Sequence, residues 1–420
     1  MSRHHPILHR IHRFWKLLGP GLITGASDDD PSAITTFSQA GARYGLSTLW
    51  MAIAAFPFLA VLQETCARIG IVSGKGLTGV VKAHYPKWIL YVLIVLSCPA
   101  FLFNIGADVA ILGEVGHLLF NSIPAIYCSI GFTLILFVFM LLLSYKKLTA
   151  ILKFLCLILL VYLVVPFLTS QKTGSIIRHS FIPAFHFEKN FLLTVIGLTG
   201  AIISPYIFFW QTSSEVDARS AMIERKKPGR LTFLIMRTDI LSGAFFAVLI
   251  MYFIILTTGS ILQHENISQI NTVKDAAIAL RPLAGNLSYI LFSIGIIGTG
   301  FLIIPVLSSS ISYIIMEAFD RRSGFSKSPG EVKPFYIIIG TAMVFGVSML
   351  GFGISPVKAL LFTTILYGFT APFLIAIILH IANNKKIMGE FCNSRFSNIV
   401  GIIALILMLT TLIVFVFLML

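Results

Sequence analysis

The feature that most constrains this chain is a series of apolar stretches, each about as long as a lipid bilayer is thick. A membrane-spanning helix needs roughly 20 predominantly apolar residues. Eleven stretches of the sequence meet this requirement. They fall near residues 15–40, 45–70, 88–119, 123–144, 149–169, 190–215, 233–258, 286–317, 334–353, 355–381 and 398–419. The sequence therefore predicts an all-α integral membrane protein with eleven transmembrane helices.

The composition supports a membrane protein and excludes several other classes. Charged residues make up 11% of the chain and hydrophobic residues 57%, whereas an average soluble domain is roughly 25% charged. An ordinary cytosolic enzyme and a disordered chain are therefore excluded. The net charge of +14 does not indicate a nucleic-acid partner, because in an apolar chain Lys and Arg collect in cytoplasmic loops.

The distribution of Lys and Arg predicts the orientation in the membrane. With the N-terminus inside, 24 of the 31 basic residues fall on the inner side and seven on the outer side. We therefore expect a protein of the cytoplasmic (inner) membrane with its N-terminus inside and its C-terminus outside. The segments between spans are all loop-sized, so a cytoplasmic segment 1–14 and one transmembrane domain, 15–420, are expected.

The first span contains residues that an uninterrupted membrane helix does not tolerate. Three consecutive aspartates, Asp28, Asp29 and Asp30, are followed directly by Pro31. A carboxylate at mid-bilayer costs a few kcal/mol, and proline removes a backbone donor and clashes with the preceding turn. The sequence predicts a helix that is unwound around Asp30 and Pro31, with freed carbonyls facing a polar cavity.

The sixth span has a matching interruption. The lead-in Thr-Gly-Ala at residues 24–26 recurs at residues 199–201, where Pro205 follows. Interrupted helices at corresponding places in two five-helix halves are typical of inverted-repeat transporters, which bind substrate at the membrane midplane. The predicted repeats are residues 15–169 and 190–381, with an extra helix at 398–419. Two unrelated proline kinks are the alternative, but kinks alone do not explain three buried acids.

Asp30 is the strongest candidate ligand for a cation, because it adjoins the predicted break. Asp28 and Asp29 fit either the surroundings of that site or the mouth of a vestibule. Carboxylate, hydroxyl and carbonyl oxygens suit hard divalent cations, whereas thioether and imidazole suit softer transition metals. No His or Met lies within five residues of either proline. The side chains around the breaks are Asp30, Ser32, Ser204, Tyr206, Gln211 and Thr212.

Other acids lie within the predicted spans. Asp108 and Glu114 occur on the third span and are candidates for a proton path, with a structural hydrogen-bonded pair as the alternative. Their spacing of six residues does not put them on one face of a helix. Asp239 follows Arg237 near the inner surface, and we expect these two residues to pair locally.

Four stretches of the sequence resemble the NRAMP family of divalent-metal transporters, in the order in which that family has them. They are Gly19-Pro20-Gly21 with Asp30-Pro31-Ser32 in the first span, residues 63–77 in the second span and the loop that follows it, Ala107-Asp108 in the third, and residues 316–319 at the end of the eighth. The resemblance runs from about residue 15 to 381. It implies a LeuT-like 5+5 inverted repeat with broken helices 1 and 6.

The resemblance also implies a set of site residues. Asp30 corresponds to the metal-binding aspartate of the family, and Ser27 and Ala201 supply backbone carbonyls. Ser204 stands where the family has a Met, and a tenth-helix Gln falls near Thr370. The predicted metal site is therefore Asp30, Ser27, Ala201, Ser204 and Thr370, and Asp28, Asp29, Ser32, Tyr206 and Gln211 are expected in a second shell or vestibule.

The chain departs from the family at several of these positions. Ala33 stands where the family has a ligating Asn, and Tyr206 and Gln211 stand where it has His. The family's third-helix Glu and ninth-helix Arg, tied to its proton route, are missing. This pattern resembles the divergent NRAMP-related branch, whose sites are rebuilt with oxygen ligands for Mg²⁺.

These observations predict a secondary transporter that imports divalent cations of the Mn²⁺/Mg²⁺/Fe²⁺ class by alternating access. A carrier of amino acids or organic cations on the same scaffold is the alternative, although an Asp-rich first helix would repel a substrate carboxylate. No H-E-x-x-H or nucleotide-binding motif occurs, so no enzyme activity and no cofactor are expected. The expected partners are the divalent metal as substrate and the lipid bilayer. Coupling to protons remains open, and no obligate protein partner is inferred.

Overall fold

The computed structural model describes residues 19–143, 173–220, 229–261, 288–351 and 356–419, together with Gly285 and part of the segment 147–164. Every element of regular structure in these residues is helical. The predicted all-α fold class is therefore confirmed at this level. About half of the predicted fifth span, 149–169, lies outside the described residues.

Fifteen helices are numbered here along the described chain. They are α1 (Pro20–Ser27), α2 (Pro31–Tyr44), α3 (Leu49–Ser73), α4 (Leu77–His84), α5 (Lys87–Leu119), α6 (Ala125–Leu142), α7 (Thr173–Phe181), α8 (Lys189–Ile202), α9 (Tyr206–Ser220), α10 (Arg230–Ile261), α11 (Ser288–Ala318), α12 (Lys333–Gly351), α13 (Pro356–Asn383), α14 (Lys385–Met388) and α15 (Arg395–Met419). Two short helical turns, Leu157–Leu160 and Val161–Val164, lie between α6 and α7.

Nine helical stretches in the described residues are long and apolar enough to cross a membrane. They correspond to nine of the eleven predicted spans, and α8 and α9 together count as one stretch, Lys189–Ser220. The predicted first span is divided into α1 and α2, of 8 and 14 residues, each shorter than a bilayer crossing requires. The protein is a helical membrane protein, and the count of eleven spans stays a prediction.

The helices pack around α5 and α10, with one large apolar core and two small separate clusters among the described residues. Helix α10 packs along α1, α2 and α3, while α5 packs against α6, α11, α12 and α13. The contact of α10 with α1 depends on glycine, because a Cβ on Gly25 would lie 2.2 Å from the backbone carbonyl of Gly243. This close approach fixes α1, and with it the start of the candidate site, against a long helix.

Candidate metal-binding site

The chain leaves helical geometry between α1 and α2, at residues 28–30. Asp30 is extended, with φ −70° and ψ 168°, and forms the N-cap of α2. Its Oδ1 accepts hydrogen bonds from the backbone N–H of Ala33 at 2.6 Å and the hydroxyl of Ser32 at 2.5 Å. Aspartate is among the preferred N-cap residues, and proline suits the first helical position. The Asp30-Pro31 sequence therefore starts a new helix at this point.

A second interruption lies between α8 and α9, where Pro205 follows Ser204. The hydroxyl of Ser204 donates to the backbone carbonyl of Ala201 at 3.0 Å. The hydroxyl of Tyr206 donates to the backbone carbonyl of Ser27 at 2.9 Å. This last hydrogen bond joins the two interruptions directly.

Helix α5 contributes an amide and a carboxyl group to the same place. The Nδ2 of Asn104 donates to Oδ2 of Asp30 at 3.2 Å and to Oδ2 of Asp108 at 2.9 Å. Asp30, Asn104 and Asp108 are 3%, 1% and 0% exposed, so these hydrogen bonds lie in the protein interior. Asp108, proposed from the sequence as a proton-path residue, is thus linked to Asp30 through one side chain.

A small cavity of about 30 Å³ opens beside Asp30. Its wall is mostly polar and comes from α2, α5, α8 and α13. The lining residues are Asp30, Ser32, Ala33, Thr36, Asn104, Gly197, Gly200, Ala201, Ser204, Thr363 and Tyr367. Hydroxyl, carboxylate, amide and carbonyl oxygens of this kind are the ligands that hard cations prefer.

The acids around this cavity have no basic partner in the part of the chain that the structure describes. The ion pairs found there join Glu64 with Arg68 at 3.1 Å and with Arg237 at 3.2 Å, and Lys82 with Asp320. Within the same residues, Oδ1 of Asp28 and Oδ2 of Asp29 are buried without a hydrogen-bond partner. Buried carboxylates need protons or cations to offset their charge.

The structure brings some of the predicted site residues together. Asp30, Ala201 and Ser204 line the cavity, and Ser32 lies beside Asp30. The backbone carbonyl of Ser27, at the end of α1, accepts a hydrogen bond from Tyr206, which follows the second interruption. Asp28 and Asp29 are buried, at 4% and 1% exposure, and are not among the cavity-lining residues.

Three other predicted residues lie away from the cavity wall. The hydroxyl of Thr370 donates to the backbone carbonyls of Leu366 at 2.6 Å and Leu96 at 3.2 Å. Gln211 accepts a hydrogen bond from Thr24 and donates to Glu215 at 2.9 Å. Glu114 is on an exposed face of α5, so the structure does not bring it to Asp30. No group of three or more His, Cys, Asp or Glu side chains in the described residues is arranged to hold a metal.

Sequence reasoning missed Asn104 and the wall contributed by α13. Asn104 precedes Asp108 by four residues on one helix, a spacing that places both on the same face, so this pair could have been found. Thr363 and Tyr367 have the same spacing on α13 and both line the cavity. Nothing in the local sequence distinguishes them from other residues of an apolar span.

Asp239 contacts a different partner from the one expected. Its carboxylate accepts hydrogen bonds from the backbone N–H groups of Gly19 and Gly21, both at 2.7 Å, and of Leu22 at 3.1 Å. Arg237 instead reaches Glu64. The local pair expected from the sequence is replaced because Asp239 faces the start of α1, where free N–H groups require acceptors.

A bundle of apolar helices in which interrupted helices meet at a buried polar cavity is the architecture of secondary membrane transporters. The sequence profile of the Nramp family, described as natural resistance-associated macrophage protein-like, matches residues 21–418. The chain belongs to this family, and the family predicted from the resemblance is confirmed.

Relatives of known function are similar over nearly their whole length. The divalent metal cation transporter MntH of Bacillus subtilis is 26% identical over 400 residues, which cover 91% of this chain and 88% of MntH. MntH of Caldanaerobacter subterraneus is 23% identical over 398 residues, with coverage of 94% and 90%.

Solved structures share the fold at lower identity. The manganese transporter of Eremococcus coleocola superposes with a TM-score of 0.74 at 16% identity, covering 99% of this chain and 88% of that one. Mhp1, a nucleobase-cation-symport-1 family transporter with bromovinylhydantoin bound, superposes with a TM-score of 0.60 at 12% identity and coverage of 94% and 92%. The fold is thus shared by transporters of different cargo.

Proposed function

We propose that this protein is a secondary transporter that imports divalent metal cations across the cytoplasmic membrane. The observation that carries the proposal is the buried Asp30 carboxylate, which lies at a helix break beside a polar cavity and has no basic partner among the described residues. A cation is the natural counter-charge for such a group. The MntH relatives are named as divalent metal cation transporters, which supports a divalent metal as the substrate here.

The proposed ligands are Asp30, the backbone carbonyls of Ser27 and Ala201, and the hydroxyl of Ser204. Each carbonyl accepts one hydrogen bond from a hydroxyl and keeps a second lone pair for a cation. Thr370 is the weakest of the ligands predicted from the sequence, because its hydroxyl donates to helix backbone.

This ligand set favours hard ions, and we propose that Mg²⁺ competes with Mn²⁺ and Fe²⁺ for the site. All the proposed ligands are oxygens, and among the described residues neither a thioether nor an imidazole lines the cavity. Oxygen ligands suit Mg²⁺, Ca²⁺ and Mn²⁺ and do not favour soft metals.

The proposed transport mechanism is alternating access in an inverted repeat of two five-helix halves. The cavity is lined by α2 and α8, which form the outer halves of the broken helices if the N-terminus is inside. The inner halves, α1 and α9, are joined by the hydrogen bond between Thr24 and Gln211. In this orientation the cavity faces the outside, and cation release requires α1 and α9 to separate.

Uptake into proteoliposomes tests this function. Mn²⁺, Mg²⁺ and Ca²⁺ are supplied separately to vesicles that hold equal amounts of the wild-type protein or the Asp30→Asn variant, with and without a pH gradient. We expect saturable uptake of Mn²⁺ by the wild type, inhibition of that uptake by millimolar Mg²⁺, and little uptake by the variant.

The same experiment distinguishes metal transport from transport of amino acids or organic cations. A carrier of amino acids or organic cations is favoured only by the shared fold of Mhp1. If none of the three metals enters the wild-type vesicles while a labelled organic cation does, the metal function is wrong. If Mn²⁺ uptake is unaffected by millimolar Mg²⁺, metal transport stands but the preference for hard ions does not.

A further inference from the structure

Among the described residues that line the cavity, Asn104 is the one with an amide side chain. It lies on α5 and is 1% exposed, and neither the helix breaks nor the family motifs identify it. A buried amide in an apolar helix is costly unless its hydrogen bonds are formed. Its two recorded hydrogen bonds both go to carboxylates, at Asp30 and Asp108.

The two oxygens of Asp30 are held in different ways. Oδ1 accepts from Ser32 and from the backbone of Ala33, so it belongs to the cap of α2. Oδ2 accepts from Asn104 at 3.2 Å. A carboxylate oxygen has two lone-pair positions, so Oδ2 keeps one for a cation while Asn104 fixes its direction.

We propose that Asn104 is a positioning residue for the transported cation, which holds Oδ2 of Asp30 turned away from the helix cap and toward the cavity. This inference rests on the proposed metal transport. The same amide separates Asp30 from Asp108, because its Nδ2 lies between their Oδ2 atoms. Its own carbonyl oxygen is of the type that hard cations accept as a ligand.

Two substitutions of Asn104 separate positioning from packing. Asn104→Leu keeps most of the volume and removes both hydrogen bonds. Asn104→Ser is smaller, enters the same space without a clash, and keeps a hydroxyl donor. The control is Ser97→Ala, a change at a buried residue of the same helix that does not line the cavity.

The measurement is the KM and Vmax of Mn²⁺ uptake by proteoliposomes, with Vmax expressed per folded transporter. We expect Asn104→Leu to raise KM about tenfold, as for the loss of one hydrogen bond to a charged group. Asn104→Ser should give a smaller rise, and Ser97→Ala none. Vmax should change less than KM in all three variants.

Each outcome decides the question. A KM that increases in the order wild type, Asn104→Ser, Asn104→Leu supports positioning. An unchanged KM with fewer folded transporters means a structural role and overturns it. If Asn104→Leu does not fold, the KM of Asn104→Ser decides. If the wild type moves no divalent metal, the proposed function has failed and this inference fails with it. If the wild type takes up Mn²⁺ normally and the KM of both Asn104 variants equals that of the wild type, only the inference is overturned.

Discussion

The carboxylate of Asp30 both caps a helix and lines the polar cavity. Its Oδ1 satisfies the backbone N–H of Ala33, and N-cap side chains typically contribute about 1 kcal/mol to stability. Replacement by alanine therefore removes two functions at once. Asparagine is an equally good N-cap residue without the charge, so it separates the two.

We expect Asp30→Asn and Asp30→Ala to abolish metal binding alike, because hydroxyls and carbonyls alone do not offset the dehydration of a divalent ion. Only Asp30→Ala should also lower the thermal midpoint of unfolding. Asp28→Asn should reduce uptake less, since Asp28 does not line the cavity. Calorimetric titration with Mn²⁺ measures the affinity, and unchanged affinity in Asp30→Asn would remove Asp30 from the site.

Ser204 is the residue at which we expect metal preference to change. A thioether in place of its hydroxyl favours softer ions over Mg²⁺. Ser204→Met should therefore reduce the inhibition of Mn²⁺ uptake by Mg²⁺ and increase the inhibition by Cd²⁺. Ser204→Ala is the control, because it removes the hydroxyl without adding sulfur. If the two variants behave alike, the side chain at position 204 does not select the metal.

Helix α1 depends on a partner that is distant in sequence, α10. It has only 8 residues, too few to be stable alone. The carboxylate of Asp239 on α10 accepts hydrogen bonds from the backbone N–H groups at the start of α1. Glycines at the contact allow the two helix backbones to approach closely. The position of Ser27, at the end of α1, is therefore set by α10.

Asp239→Ala should destabilise the protein by about 2 kcal/mol, because three N–H groups, two of them buried, lose a charged acceptor. The expected observation is a lower thermal midpoint of unfolding in detergent. Asp320→Asn is the control, since it removes the charge of an exposed aspartate whose ion pair with Lys82 is worth at most about 1 kcal/mol, and Asn tolerates the φ of 52° at this position. Equal midpoints for the two variants would contradict the capping role.

At the scale of the whole molecule, the open question is what drives transport. By the correspondence that the family resemblance implies, Tyr206 and Gln211 stand where the family has titratable His. Glu114 lies on an exposed face. The membrane potential alone supplies about 4.6 kcal/mol per 100 mV for each divalent ion that moves inward. That is enough to accumulate metal without protons.

We expect metal uptake driven by the membrane potential, with little accompanying proton flux. The measurement is the internal pH of sealed vesicles during Mn²⁺ uptake at a fixed potential. Two observations together would contradict the prediction: acidification in proportion to the metal flux in the wild type, and loss of that acidification in Asp108→Asn. They would make Asp108 a proton relay. Loss of that acidification in Glu215→Gln would instead locate the relay along α9, where Glu215 accepts from Gln211.

The sequence by itself determined the helical membrane class, the family, and the two places where proline interrupts a span. These features depend on local chemistry: hydropathy sets the spans, and Asp30-Pro31 joins a preferred N-cap residue to one suited to the first helical position. The tertiary structure decided which side chains meet. It brings Asn104 to Asp30, joins Tyr206 to Ser27, and directs Gln211 away to Glu215. Such contacts depend on how distant helices are rotated and shifted against each other, and apolar spans with little amphipathic pattern do not encode that rotation locally.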